Sequence, residues 1–207
     1  SGTKNATSSV LPSYVVTGKW IQNAAGKWLF TDQKRTYVNE WAAVHNPYAD
    51  TLKGQSAFDW FRFDENGYMM TGWYTDGNGE RYYLDENGVL QEDGWFKIEN
   101  TNSSTGAVSE SWYYALESGA VLKGGFKELE GRKYYFDSNG YNYRKRWMND
   151  EDGRRRYIGE EGFLYQDRWF VMSGLDSRNS EYNNWYYAGS DGYVRSDGWY
   201  KIDGKSY

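Results

Sequence analysis

From residue 18 onward, large apolar side chains fall in runs of about four to five residues. Within each run they alternate with period two. That is strand spacing, because successive side chains of a strand point to opposite faces. Polar turns follow the runs: Asp64-Glu65-Asn66-Gly67, Asp85-Glu86-Asn87-Gly88 and Asp137-Ser138-Asn139-Gly140. Asn-Gly tolerates positive φ and marks a tight turn. The segments on either side are too short for independent helices. The pattern therefore predicts an all-β chain of hairpins.

The hairpins are copies of one another. Each opens with Gly-Trp or a variant, runs to an aromatic cluster such as Trp112-Tyr113-Tyr114, and closes with a turn ending in Gly. The openings lie at Trp20, Trp41, Trp73, Trp95, Phe126, Trp147, Trp169 and Trp199. Their spacings of 21, 32, 22, 31, 21, 22 and 30 define short units near 21 and long units near 31. The extra residues of the long units are 42–59, 99–111 and 173–184. The last two stretches are Ser/Asn-rich and read as lengthened hairpin loops. Self-similarity at such periods predicts a β-solenoid, in which stacked copies bury an apolar face that one copy cannot bury alone. It spans residues 18–207 in about eight units. The last is partial, stopping at Lys205-Ser206-Tyr207 within a second strand. Residues 1–17 are rich in Ser, Thr and Asn, carry Pro12, and are expected to be a linker or poorly ordered lead-in.

The aromatic cluster has two faces. Its second and fourth positions read Leu29/Thr31, Phe61/Phe63, Tyr82/Leu84, Tyr113/Ala115, Tyr134/Phe136, Arg156/Ile158 and Tyr186/Ala188. This mostly apolar face is the candidate core, with Arg156 as its exception. First positions switch between Trp (Trp28, Trp60, Trp112, Trp185) and basic residues (Arg81, Lys133, Arg155). All complete long units carry Trp there. Selection for stacking alone would not produce this alternation, so two kinds of junction between copies are expected, one of them aromatic-rich.

Composition bears on whether such a chain folds. Leu, Ile, Val and Phe are scarce, which by itself suggests disorder. The 11 Trp and 21 Tyr answer that, since aromatics bury a large area each. The formal charge is −5 and no basic stripe exists, which argues against nucleic acid as a partner. Arg154-Arg155-Arg156 reads as a solvated hairpin edge. No apolar stretch approaches the roughly 18 residues needed to cross a bilayer, so no membrane insertion is expected. No signal peptide is read, and an excised fragment of a larger protein is one expectation. Without Cys, disulfides and thiolate metal sites are excluded.

No catalytic constellation emerges. His45 is the only His, expected to be an ordinary loop residue, and a Ser/His/Asp arrangement would rest on it alone. The carboxylates fall mostly in turns, where solvation explains them. Asp150-Glu151-Asp152-Gly153 has Met148 where a calcium loop needs its first ligand, and reads as a plain turn. No metal site and no cofactor are expected.

At these residues the sequence resembles the cell-wall-binding repeats of Gram-positive bacteria. That superfamily includes choline-binding modules, glucan-binding repeats of glucosyltransferases and the repetitive oligopeptides of large clostridial toxins. The matching motif runs from Gly72-Trp73 through Gly79, Tyr82-Tyr83-Leu84 and Asn87-Gly88. Gly67-Tyr68-Met69-Met70-Thr71-Gly72-Trp73 is close to the choline-binding pattern at a repeat boundary. The resemblance covers residues 18–207. It implies a solenoid of successive hairpins with ligand sites between adjacent ones: aromatic cages for choline, or shallow grooves for saccharide. The mixture of short and long units is more similar to the toxin arrangement, where sugar sites fall where a long unit meets a short one. Basic residues at 81, 133 and 155 would repel choline or open its cage.

The expected function is a non-catalytic binding module of a secreted protein at the bacterial cell surface, recognising cell-wall or surface carbohydrate. Its partner would be a wall polymer or glycan, with choline possible, and it could be attached to further domains. The alternatives are a choline-binding module, or a structural spacer or adhesin that binds a protein. Candidate ligand-binding residues are Trp95, Trp112, Tyr114, Phe126, Trp169, Trp185, Tyr187 and Trp199, with Trp28, Trp41, Trp60 and Trp73. The best groove is expected between the copies opening at Trp95 and Phe126, with a similar one joining Trp185 and Tyr187 to Trp199. The opening Trp residues are read as structural first, the first-position Trp residues as functional.

Overall fold

A computed structural model describes residues 10–196 and 201–206. Its strands pair consecutively into antiparallel hairpins, one per copy. Copy 1 is β2 (Lys19–Gln22) with β3 (Trp28–Thr31), preceded by the short β1 (Val15–Val16). Copy 2 is β4 (Trp41–His45) with β5 (Phe58–Arg62), and copy 3 is β6 (Gly72–Thr75) with β7 (Arg81–Leu84). Copy 4 is β8 (Gly94–Thr101) with β9 (Val108–Ala115), and copy 5 is β10 (Gly125–Leu129) with β11 (Arg132–Phe136). Copy 6 is β12 (Arg146–Asn149) with β13 (Arg155–Ile158), and copy 7 is β14 (Arg168–Leu175) with β15 (Glu181–Ala188). Copy 8 pairs β16 (Lys201–Ile202) with β17 (Lys205–Ser206), and its opening Trp199 lies outside the described residues. The one helical turn among the described residues is a 3₁₀ turn at Thr51–Lys53. The chain is thus all-β, as the period-two pattern required. It divides into two compact units, Ser1–Phe96 with Tyr114–Val121, and Lys97–Tyr113 with Leu122–Tyr207.

Local chemistry builds the turns. In each Asp-x-Asn-Gly turn the Asp carboxylate accepts two backbone N–H groups: Asp64 takes Asn66 and Tyr68, each at 2.8 Å. Asp85 and Asp137 repeat the arrangement. The turn glycines have φ near +80° and are also contact points between copies. A Cβ on Gly88 would lie 2.5 Å from Met69 Sδ, and one on Gly119 2.5 Å from Leu90 Cδ2. Gly is needed there both for the left-handed backbone and for the close approach.

Backbone hydrogen bonds then tie consecutive copies together. In the first unit Met69 N–H donates to the Trp28 carbonyl, Leu90 to Trp60 and Val121 to Arg81, at 2.8–2.9 Å. In the second unit Asn142 donates to Trp112, Leu164 to Lys133 and Val194 to Arg155, at 2.7–2.9 Å. Every acceptor is a first-position residue. The winding uses its carbonyl and not its side chain, which is why Trp, Arg and Lys can alternate there without disturbing the fold.

The fourth cluster position is the innermost. Phe63, Leu84, Ala115, Phe136, Ile158 and Ala188 are completely buried. The second position is less uniform than expected: Phe61 and Tyr134 are buried, whereas Leu29, Tyr82, Tyr113 and Tyr186 are half-buried. In copy 1 the core residue is instead the third-position Phe30, because the Trp20 ring and Tyr37 close over it. The opening aromatic pairs with the third position in six copies, with ring centroids 5.0–5.3 Å apart. Copy 2 departs from this. Arg62 takes the third position and is buried, donating to the Phe63 carbonyl, Asn39 Oδ1 and the Tyr74 hydroxyl.

Three expectations need correction. Part of the presumed lead-in is strand: Val15–Val16 pairs parallel with Ala43–Val44, where two β-branched residues meet an open sheet edge. The Ser/Asn-rich insertions of copies 4 and 7 are mainly longer strands. Ser173, Gly174 and Leu175 pair with Asn183, Tyr182 and Glu181, since a two-stranded ladder satisfies its backbone and leaves polar side chains to water. The run 154–156 is not simply a solvated edge. Arg154 and Arg156 stack on Tyr193, Arg156 also on Phe126, and Arg155 on Trp147. Guanidinium groups keep water contact while covering aromatic faces. This also explains Arg156 on the apolar face: it lies between two rings and 3.7 Å from the Asp150 carboxylate.

Candidate ligand-binding cleft

Within the first unit, copies 1 and 2 enclose a cleft of about 610 Å³. Hairpin register creates its aromatic wall. Trp20 pairs with Phe30 and Gln22 with Trp28, so Trp20 and Trp28 lie diagonally on adjacent strands. The Trp20 ring is anchored against Phe30 and Phe61 at centroid distances of 5.1 and 4.8 Å. Trp28 is 39% exposed, and its indole can meet a ligand. Met69, tied by its N–H to the Trp28 carbonyl, adds an apolar surface.

The long insertion of copy 2 supplies the polar wall. β4 ends at His45, and the chain then turns outward through Asn46, Pro47 and Tyr48. Asn46 Oδ1 accepts the Tyr48 N–H at 3.1 Å, and its Nδ2 lies 3.5 Å from Asp59 Oδ2. Tyr48 is almost fully exposed. Glu86 and Asn87 enter from the copy 3 turn. The acidic and imidazole groups lining the cleft are His45, Asp59 and Glu86, and among the described residues no Lys or Arg lines it. Such a surface offers aromatic faces for apolar C–H groups, and carbonyl, amide and carboxylate groups for hydroxyls or a cation.

The other sequence-derived candidates have varied surroundings. In the first unit, Tyr14 stacks on Trp60 at 5.7 Å and 17°. Trp41 packs edge-on against Tyr74 and Tyr82. Trp73 packs on Tyr83 with the Arg81 guanidinium 3.9 Å from its ring centroid. Trp95 meets Tyr114. In the second unit, the Arg144 guanidinium lies 4.2 Å over Trp112, whose indole N–H donates to Glu110. Phe126 packs on Tyr135, and Trp169 on Tyr187, while Trp185 is 64% exposed. The groove expected from Trp95, Tyr114, Trp112 and Phe126 draws its first two residues from one unit and its last two from the other. Trp199 lies outside the described residues.

Sequence reasoning placed Trp28 among the candidates but not Trp20, Asn46, Tyr48, Asp59, Glu86 or Asn87. His45, expected in a loop, ends β4 and lines the cleft. One signal was available: copy 1 is short, copy 2 is long, and the cleft lies where they meet.

Comparison with known proteins agrees with this architecture. Residues 71–90 and 124–142 match the cell wall binding repeat. These two segments carry the repeat in copy 3 and copy 5. Among curated proteins it is similar to glucosyltransferase-S of Streptococcus mutans serotype c, 29% identical over 147 residues, covering 69% of this chain and 8% of that protein. Toxin A of Clostridium novyi is 35% identical over 85 residues, covering 39% of this chain and 4% of the toxin. The chain thus spans less than a tenth of the length of these relatives. Among solved structures, choline binding protein F from Streptococcus pneumoniae superposes with a TM-score of 0.61 at 23% identity, covering 92% of this chain and 57% of that one. The modular autolysin LytC from the same organism, in complex with a synthetic peptidoglycan ligand, gives 0.51 at 21% identity, covering 86% and 34%. These likenesses show the fold.

Proposed function

We propose that this chain is a binding module, not a catalyst, which attaches a larger secreted protein to carbohydrate of a cell wall or surface. The observation that carries the reading is the cleft at Trp20 and Trp28. It combines an indole face open to solvent with Asn46, Asn87, Asp59 and Glu86, the mixture a neutral sugar requires. Its volume suits a ligand of one or a few sugar residues. The carboxylates, with no Lys or Arg among the described lining residues, disfavour an anionic polymer. Several weak sites along the repeats, with Trp185 as a further open indole, would act together to hold a polymer. A spacer role would leave such indoles without purpose.

A second reading, recognition of a choline group, rests on the same lining: indole faces and two carboxylates with no competing cation. A glycan array run beside a choline titration, monitored by Trp fluorescence, separates the two. Binding of neutral oligosaccharides that is lost in Trp28→Ala supports the first reading. A fluorescence change with choline alone, also lost in Trp28→Ala, supports the second. Trp28→Ala that leaves all binding intact overturns the assignment of the cleft.

A further inference from the structure

The same diagonal that builds the cleft recurs in copies 3 and 6 with a different occupant. In copy 1, Trp20 pairs with Phe30 and Trp28 stands two rungs further along the hairpin, on the same face. In copy 3, Trp73 pairs with Tyr83 and Arg81 holds the place of Trp28. In copy 6, Trp147 pairs with Tyr157 and Arg155 holds it. Neither arginine extends into water alone. The Arg81 guanidinium lies 3.9 Å from the Trp73 ring centroid, and that of Arg155 lies 4.7 Å from Trp147. Arg155 is also 5.9 Å from the Tyr186 ring of copy 7. Tyr186 meets Trp147 edge-on, at 5.1 Å and 71°, so the two rings form a corner contributed by consecutive copies. The arginine covers this corner.

We propose that copies 3 and 6 are self-liganded: Arg81 and Arg155 supply, from the chain itself, the cation that their aromatic surfaces would otherwise accept from solution. The ligand class of these latent sites is a small organic cation, with quaternary ammonium the best match. A delocalised guanidinium and a methylated ammonium are both weakly hydrated and both seek an aromatic face. The first-position residue is then a selector. In copy 1 the Trp there lines a cleft, and in copies 3 and 6 the Arg closes the site with an internal cation. Because the winding uses only the carbonyl of that position, the exchange leaves the backbone of the copy unchanged. Copy 5 reaches a similar result by another route. Its turn residue Asn142 accepts from Arg144 Nε at 3.1 Å, and Arg144 lies over the first-position Trp112 of copy 4.

The test is rescue by an external cation in the full chain. Arg81→Ala and Arg155→Ala each remove one internal cation, at two independent sites. Each is expected to lower Tm by about 2–4 °C, the scale of one exposed cation–π contact in a chain of this size. Tetramethylammonium chloride, compared with sodium chloride at equal ionic strength, is expected to restore part of that loss. Whatever the cleft at Trp28 binds responds alike in all the proteins, so the excess over wild type isolates copies 3 and 6. In ¹⁵N-labelled protein the Trp73 indole cross-peak should move with tetramethylammonium in Arg81→Ala, and that of Trp147 in Arg155→Ala, while both stay still in wild type. Arg155→Met, which refills the corner without charge, should be unresponsive. Variants that lose stability without cation-specific recovery would show that the arginines only pack. Equal movement of the indole peaks in wild type would show that these aromatic faces are open already. Either result overturns the proposal.

Discussion

Asn142 provides the sharpest quantitative test of the fold. It stands where other copies carry Met69, Leu90, Val121, Leu164 or Val194, yet it is completely buried. Its Nδ2 donates to the Gly162 carbonyl at 3.0 Å and to the Tyr135 carbonyl at 3.2 Å. Its Oδ1 accepts from Arg144 Nε. In Asn142→Ala the Tyr135 carbonyl keeps the Tyr143 N–H as partner, and half-buried Arg144 can turn to water. The buried Gly162 carbonyl loses its side-chain donor, at a cost of about 1–3 kcal/mol. Loss of packing adds a smaller amount, so the total is about 2–3 kcal/mol. Asn142→Asp should be at least as damaging, because it sets a carboxylate oxygen against two carbonyls. Urea denaturation followed by Trp fluorescence measures both. In Asn142→Ala, Trp112 should also become more accessible to acrylamide as Arg144 loses its anchor. A loss below about 0.5 kcal/mol would refute the reasoning, since it would mean that Gly162 finds another donor at no cost.

Trp28→Ala should weaken ligand binding about tenfold, roughly 1.4 kcal/mol, with little change in the melting curve. Trp20→Ala, which removes a ring packed on Phe30 and Phe61, should cost about 2–3 kcal/mol in a chemical melt. A reversal of the two would mean that Trp28 is core. Gly88→Ala should destabilise by more than about 1 kcal/mol, because it combines φ +80° with a clash on Met69; Met69→Ala in the same chain should relieve the clash but not the backbone strain. Acid should destabilise the fold in a defined window. The Tyr37 hydroxyl donates to Asp32 and the Tyr193 hydroxyl to Asp150, and each bond holds its carboxyl below the ordinary 3.8. Arg35 similarly lowers Glu40 below 4.5. Depressed carboxylates contribute stability that is fully present above the ordinary values and lost as pH falls through the lowered ones. The urea midpoint should therefore be level above about pH 4.5 and fall below it. Tyr193→Phe should shallow that fall, and an unchanged profile would remove Asp150 from the account.

The sequence by itself determined the local structure. Period-two runs broken by polar Gly turns read as short antiparallel strands, since each Asp caps its own turn and each Gly takes the positive φ; the turns at 64–67, 85–88 and 137–140 join consecutive copies and do not close the two strands of one. The fourth cluster position was legible as core for the same reason: alternation puts it on one face in every copy. The spacing of the openings also announced the long insertion that walls the cleft. What tertiary structure decided was the fate of identical residues. Trp28, Trp60, Trp112 and Trp185 occupy one position of the repeat, yet Trp28 lines a cleft, Tyr14 covers Trp60, Arg144 covers Trp112, and Trp185 faces solvent. The partners come from other copies or from the chain before them, at separations the repeat period does not fix. The arginines make the same point. Read along the chain, Arg81 and Arg155 are charges that break an aromatic pattern; in the fold each guanidinium completes it, because hairpin register places it two rungs along, on the same face as a tryptophan.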